Sequence, residues 1–215
     1  MKKYIGMSWP SDGLNDSEYW SYLSSNYELL VIRYPVSGSF KKEKLIKEGK
    51  IKFVSQFLKN IQSDNLDALM LCDFAGSVLN GEGYILKTEL FFKKKLNIPV
   101  INIVTSSLNF INNHKNKISI VSPYKNDITN TFLEMIKDKK KIDKIFNLNF
   151  KSEKEINSTN NIIDYKKFKN LNSDLLFIGG GISIRYYKKY LQKKIKNKIY
   201  SSPMLLVKDT IKKIK

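Results

Sequence analysis

The stretch LCDFAGSVLNGEG (71–83) places the only cysteine of the chain, Cys72, directly before a carboxylate, Asp73, and a small-residue turn, Ala75-Gly76-Ser77. It follows the apolar run LDALM, which reads as a buried strand ending at Leu71 or Cys72. Ligands in α/β folds bind at the carboxyl ends of strands, so this tip is a candidate site. In a closed cleft, desolvation would raise the pKa of Asp73 toward working pH and make it a general acid or base. As a purely structural residue it would instead cap the next helix through backbone N–H groups. Cys72 is the competing candidate, because a one-residue slip would exchange the two, and strand alternation lets only one of them face a substrate. Otherwise Cys72 is a small buried hydrophobe.

Three further groups carry chemistry. Gly179-Gly180-Gly181 follows the strand DLLFI but lacks the third glycine of a dinucleotide loop, and no ribose-binding acid stands about 20 residues later. It reads either as a nest of backbone N–H groups for a carboxylate or as a tight turn. Ser122-Pro123-Tyr124 joins a strand to a helix, and Trp9-Pro10 occupies a similar turn near the N-terminus, where it could form an apolar wall. Ser201-Ser202 precede the last helix and are candidate caps. His114 sits in the polar turn NNHKN and reads as solvated.

These residues need a scaffold. Strands are expected at 4–9, 27–34, 66–72, 99–104, 117–122, 144–150, 174–179 and 198–202, and helices at 15–25, 42–62, 83–96, 105–115, 126–140, 162–170, 184–196 and 203–214. The polar stretch 151–161 reads as a loop. Alternating strand and helix predicts an α/β fold with mainly parallel sheets. IGMSWPSD (5–12) echoes ISIVSPYKND (118–127), and LDALMLCDFAGS (66–77) echoes NSDLLFIGGGIS (172–183). The echo suggests two similar α/β halves, each giving strand tips to a shared cleft.

The net charge is +18, but all of the 38 basic residues except Arg33 and Arg185 are lysines. Arginine is the usual reader of bases and phosphates. Lysine spread over nearly every helix, with abundant asparagine and isoleucine, points to an AT-rich genome rather than a nucleic-acid partner. No apolar run approaches the roughly 20 residues of a membrane span. One cysteine excludes an internal disulfide and suits a reducing cytoplasm, and one histidine with one cysteine leaves little for a metal site.

The order and spacing of IPVINIVTSSLNFI (98–111), NKISIVSPYKNDITNTFLEMI (116–136), DLLFIGGGIS (174–183) and NKIYSSPMLLVKDTI (197–211) resemble the Asp/Glu racemase superfamily, in particular its maleate cis–trans isomerase and arylmalonate decarboxylase branch. Together with the echo, the resemblance implies two α/β lobes related by a pseudo-two-fold, residues 1–105 plus 199–215 and residues 106–198, each with a mainly parallel four-stranded sheet and a cleft between them. It also implies a cofactor-independent enzyme that moves a proton on a small carboxylic or dicarboxylic acid, by decarboxylation, isomerisation or a lyase step. In racemases and isomerases of that family a cysteine from each half faces the substrate. The matching positions here are Asp73 and Gly179, so a two-thiol mechanism is not expected and proton transfer would be one-sided. Residue reading and resemblance together give Phe74, Ala75, Ser77, Tyr124, Gly179, Gly180, Gly181, Pro10, Ser201 and Ser202 as expected substrate-binding residues, and Asp73 or Cys72 as the expected catalytic residue. A carboxylate-binding homologue without activity is the alternative, and a nucleic-acid binder the more distant one. No metal or membrane partner is expected; self-association into a homo-oligomer stays open.

Overall fold

A computed structural model describes residues 2–38, 40–58, 65–159, 165–168, 170–185, 191–193 and 195–215. Eight strands form two four-stranded sheets, parallel throughout. The first contains β1 (Lys3–Pro10), β2 (Tyr27–Tyr34), β3 (Ala68–Leu71) and β4 (Val100–Asn102), in the order β2-β1-β3-β4. The second contains β5 (Ile118–Ser122), β6 (Ile142–Asn147), β7 (Asp174–Phe177) and β8 (Ile199–Ser201), in the order β6-β5-β7-β8. The two orders are the same topology repeated, as the internal echo suggested. The register makes the match residue by residue. Ile5 opposes Ala68 as Ile118 opposes Asp174, and the paired segments end at Ser8–Leu71 and Val121–Phe177. Cys72 N–H then donates to Ser8 O (3.1 Å), and Ile178 N–H donates to Val121 O (3.0 Å). The next residues, Asp73 and Gly179, are therefore equivalent.

The helices differ more from expectation. The segment 42–62 is two helices, α2 (Lys42–Glu48) and α3 (Ile51–Phe57), and its last residues lie outside those described. Gly49 separates them, where a Cβ would stand 2.9 Å from the backbone of Gly76; this close approach needs a glycine. The turn at 75–77 is instead part of α4 (Phe74–Asn80). The loop expected at 151–161 contains α5 (Glu153–Thr159). Its signal is a capping pattern, Ser152-x-x-Glu155: Glu155 N–H donates to Ser152 Oγ (3.3 Å), and Lys151 N–H donates to the Glu155 carboxylate (2.6 Å). Parts of the helices expected at 162–170 and 184–196 lie outside the described residues.

After β4 runs the helix Ile103–Asn113, and after β8 the helix Ser202–Ile214; these equivalent helices pack on each other. Asn102 caps the first and Ser201 the second, and the hydroxyls of Ser107 and Ser202 meet at 2.8 Å between them. The C-terminal helix also contacts β3 and β4. The expected boundary at residue 199 therefore cuts differently from the sheets: β8 pairs with β7, while the helix that follows leans on the first sheet. One apolar core crosses both halves, from Met7 and Met70 through Val104, Leu108 and Leu206 to Ile118, Ile120 and Leu176.

Polar ties join the halves as well. Glu18, on the short helix α1 (Asp16–Trp20), is fully buried. Its carboxylate accepts from Ser183 Oγ (2.8 Å), Arg185 N–H (2.9 Å), Ser201 Oγ (3.2 Å) and Tyr22 Oη (2.5 Å). The Asn15 amide donates to Gly181 O. Replacing Glu18 by alanine should cost about 2–4 kcal/mol in urea unfolding, because several buried donors lose their acceptor together. A loss below about 0.5 kcal/mol would show that the tie is not structural.

Candidate functional site

The carboxyl ends of β1 and β3 open onto a cavity with about 530 Å³ of empty space, continuous with solvent. Its wall includes Trp9 and Pro10 at the end of β1 and Asp12 beyond it, Cys72 to Ala75 after β3, and Tyr124, Glu153, Gly180 and Gly181 from the second half. The segment after β2 closes the rest with Val36, Gly38, Phe40, Leu45 and Glu48.

Both Cys72 and Asp73 reach this wall. The strand ends at Leu71, so the alternation that would have separated them no longer applies. Cys72 is only 2% exposed. Burial, foremost, holds its thiol well above the usual value; Asp16 and Asp73 push the same way, against a hydrogen bond with Tyr19. A thiol held neutral is a poor nucleophile and a poor base. Asp73 is half-buried and caps α4, accepting from Gly76 N–H at 3.0 Å. Desolvation raises its carboxyl to about 7, helped by Asp12 and Glu48 and opposed by the Gly76 bond. The capping reading therefore holds, and the same side chain faces the cavity with its carboxyl raised.

The glycine triplet is a cradle for side chains. Gly179 has φ +88°, and a Cβ there would stand 2.5 Å from the Tyr124 hydroxyl. At Gly180 a Cβ would collide with the Trp9 indole, and at Gly181 with the Glu153 carboxylate. Gly180 and Gly181 line the cavity, whereas Gly179 does not. Tyr124, 4% exposed, stacks on Phe74 with ring centroids 5.7 Å apart and meets Phe40 edge-on at 5.4 Å. Ser77, Ser201 and Ser202 also stand off the wall. Ser77 accepts from the Asn102 amide (3.0 Å), Ser201 caps the C-terminal helix and donates to Glu18, and Ser202 pairs with Ser107. His114 is packed rather than solvated: it lies 2.8 Å from Asp174 and against Phe110 and Tyr200.

Sequence reasoning did not single out Asp12, Glu48, Glu153 or Phe40. Burial raises Asp12, with Glu48 adding to it. Burial, then Asp12 and Asp73, raise Glu153 to about 8. The site thus contains a second titratable carboxyl from the second half, where only a one-sided site was expected. No lysine or arginine lines the cavity among the described residues, and among them no cluster of histidine, cysteine or carboxylate could hold a metal. No described helix is long and apolar enough to cross a membrane.

No protein-family model matches the sequence, and no curated protein does. The fold does match solved structures. A maleate isomerase from Pseudomonas putida S16 superposes with a TM-score of 0.78 at 11% identity, over 99% of this chain and 92% of that one. A Nocardia farcinica maleate cis–trans isomerase variant with a covalently bound succinylcysteine intermediate gives 0.75 at 9%, over 100% and 93%. An arylmalonate decarboxylase gives 0.68 at 14%, over 99% and 92%. The chain therefore has the two-lobed α/β fold of these enzymes. At 9–14% identity the likeness is one of fold, which is coarser than the resemblance in sequence had implied.

Two stability measurements check this geometry. Gly181→Ala should destabilise by about 1–3 kcal/mol, since the new methyl group must displace the Glu153 carboxylate; an unchanged urea midpoint would argue against the cradle. Asp73 binds its proton more tightly folded than unfolded, so its contribution to stability falls as pH rises from about 4 through 7. Asp73→Asn retains a capping side chain and removes this loss. Its Tm relative to the wild type should improve as pH rises from 5 to 8; a pH-independent difference would contradict the burial of that charge.

Proposed function

We propose that this protein is a cofactor-independent enzyme of the Asp/Glu racemase superfamily that moves a proton at the carbon beside a carboxyl group of a small acid, with Asp73 as the acid/base. The observation that carries the reading is Asp73 itself, held by α4 on a shared cleft wall with a carboxyl near 7. A group titrating near the working pH serves best in both directions of proton transfer. The structural neighbours are enzymes named for acting on maleate and arylmalonates, which supports a small acid as substrate.

In this reading ionised Asp73 takes the proton, and the electron pair of the C–H bond moves into the adjacent carboxyl group to form an enediolate. Backbone N–H groups of Phe74 and Ala75 at the start of α4 and the Tyr124 hydroxyl would hold its oxygens. Protonated Asp73 returns the proton to carbon; in a decarboxylation it protonates the carbanion left by carbon dioxide. Cys72, neutral and buried, takes no part.

The test is a panel of small acids, maleate and phenylmalonate among them, followed by proton NMR in D₂O. Exchange into one of them should rise with pH through about 7. Asp73→Asn should lower it by about 10²–10⁴. Undiminished exchange in that variant would remove Asp73 from the chemistry. Binding without exchange or turnover anywhere in the panel would leave a carboxylate-binding protein.

A further inference from the structure

The molecule carries a net charge of +18, yet its cavity is lined by four acidic side chains, Asp12, Glu48, Asp73 and Glu153, and among the described residues by no basic one. Lysines stand elsewhere on the surface. Glu153 is the sharpest case. It is 8% exposed, it lines the cavity, and its carboxylate has no hydrogen-bond or ion-pair partner among the described residues. The missing Cβ of Gly181 makes its place. A buried carboxylate without a partner is costly, and such groups ordinarily have one. The neighbouring acids deepen the cost rather than relieve it. The rest of the wall is aromatic: Trp9, Phe40, Phe74 and Tyr124. Carboxylates and aromatic faces together are the chemistry that recognises organic cations, through charge pairing and cation–π attraction.

We infer that the cavity takes a ligand bearing a small organic ammonium group, held by the Glu153 and Asp73 carboxylates against the aromatic wall. The inference rests on the reading of this cavity as the substrate site, and it narrows the substrate to one that carries positive charge. An acid with two carboxylates and no cation would meet four acidic side chains and, among the described residues, no basic one.

The sign of proton linkage separates the two cases. The groups that act on Glu153 are Asp12 and Asp73, Tyr124 senses it in turn, and those that act on Asp73 are Asp12 and Glu48; all are acidic. With the cavity empty, Glu153 titrates near 8 and Asp73 near 7. A bound cation favours their ionised forms and expels protons, so its affinity rises with pH. A bound anion favours the protonated forms, so its affinity rises as pH falls.

The experiment titrates the intact protein with tetramethylammonium chloride, methylammonium chloride and disodium succinate at constant ionic strength, with sodium chloride as the control. Binding is read by tryptophan fluorescence and by calorimetry at pH 6, 7 and 8. At least one ammonium probe should bind more tightly than succinate, with its Kd falling about tenfold or more from pH 6 to 8. Glu153→Gln, a close isostere checked for folding by circular dichroism, should weaken that binding about tenfold and flatten its pH dependence. Tighter binding of succinate, an affinity for the ammonium probes that rises as pH falls, no ammonium binding beyond sodium, or an unaltered Glu153→Gln would each overturn the inference. Ammonium binding that passes these checks while no acid undergoes exchange would sink the enzymatic reading alone. Exchange that depends on Asp73 without ammonium binding would sink this one alone.

Discussion

The cavity depends on how the two halves are held together, and the buried Glu18 carboxylate is the polar centre of that junction. It belongs to the first half, yet three of its donors, Ser183, Arg185 and Ser201, belong to the second. Hydrogen bonds to a charged acceptor out of water are stronger and more directional than apolar contact. The shared core through Val104, Leu108 and Leu206 supplies adhesion but tolerates small sliding, whereas a carboxylate with several donors does not. Asn15 extends the tie to Gly181, directly beneath Glu153. Movement of the halves at this junction would therefore move the cavity wall itself.

The same economy of parts recurs at the strand tips. Asp73 starts α4 through its bond to Gly76 N–H and at the same time faces the cavity, so the helix fixes the side chain proposed as the acid/base. The equivalent position in the second sheet is Gly179, and the triplet it begins receives side chains from elsewhere: Tyr124, Trp9 and Glu153. One tip supplies a functional group directly, and the other makes room for groups delivered from both halves.

Burial and mutual repulsion decide the electrostatics. Asp73 and Glu153 are both raised, first by desolvation and then by like charges nearby. Cys72, adjacent to Asp73 in the chain, is also raised, first by burial and then by Asp16 and Asp73, and an upward shift keeps a thiol protonated at neutral pH whereas a carboxyl pushed to about 7 exchanges its proton there. The positive charge of the surface lies apart from this acidic interior.

Sequence alone determined the alternation of elements, all eight strands of the described residues, the repeat of the two halves and the placing of Asp73 at a strand tip that faces the cavity. These follow from short-range rules: apolar runs bounded by turn signals, and a small-residue turn after each third strand of a half. The capping pattern at Ser152 and Glu155 was readable too, but the polar composition around it argued for a loop. Tertiary structure alone decided that Gly179 to Gly181 form a cradle, that Ser201 and Ser202 serve the junction rather than the cavity, and that Asp12, Glu48 and Glu153 converge on Asp73. These acids lie far apart in the chain and look like solvated surface residues, because a single carboxylate in a polar stretch has no local mark. Only closure of the two sheets around one cavity brings them together and removes water from Asp12, Asp73 and Glu153.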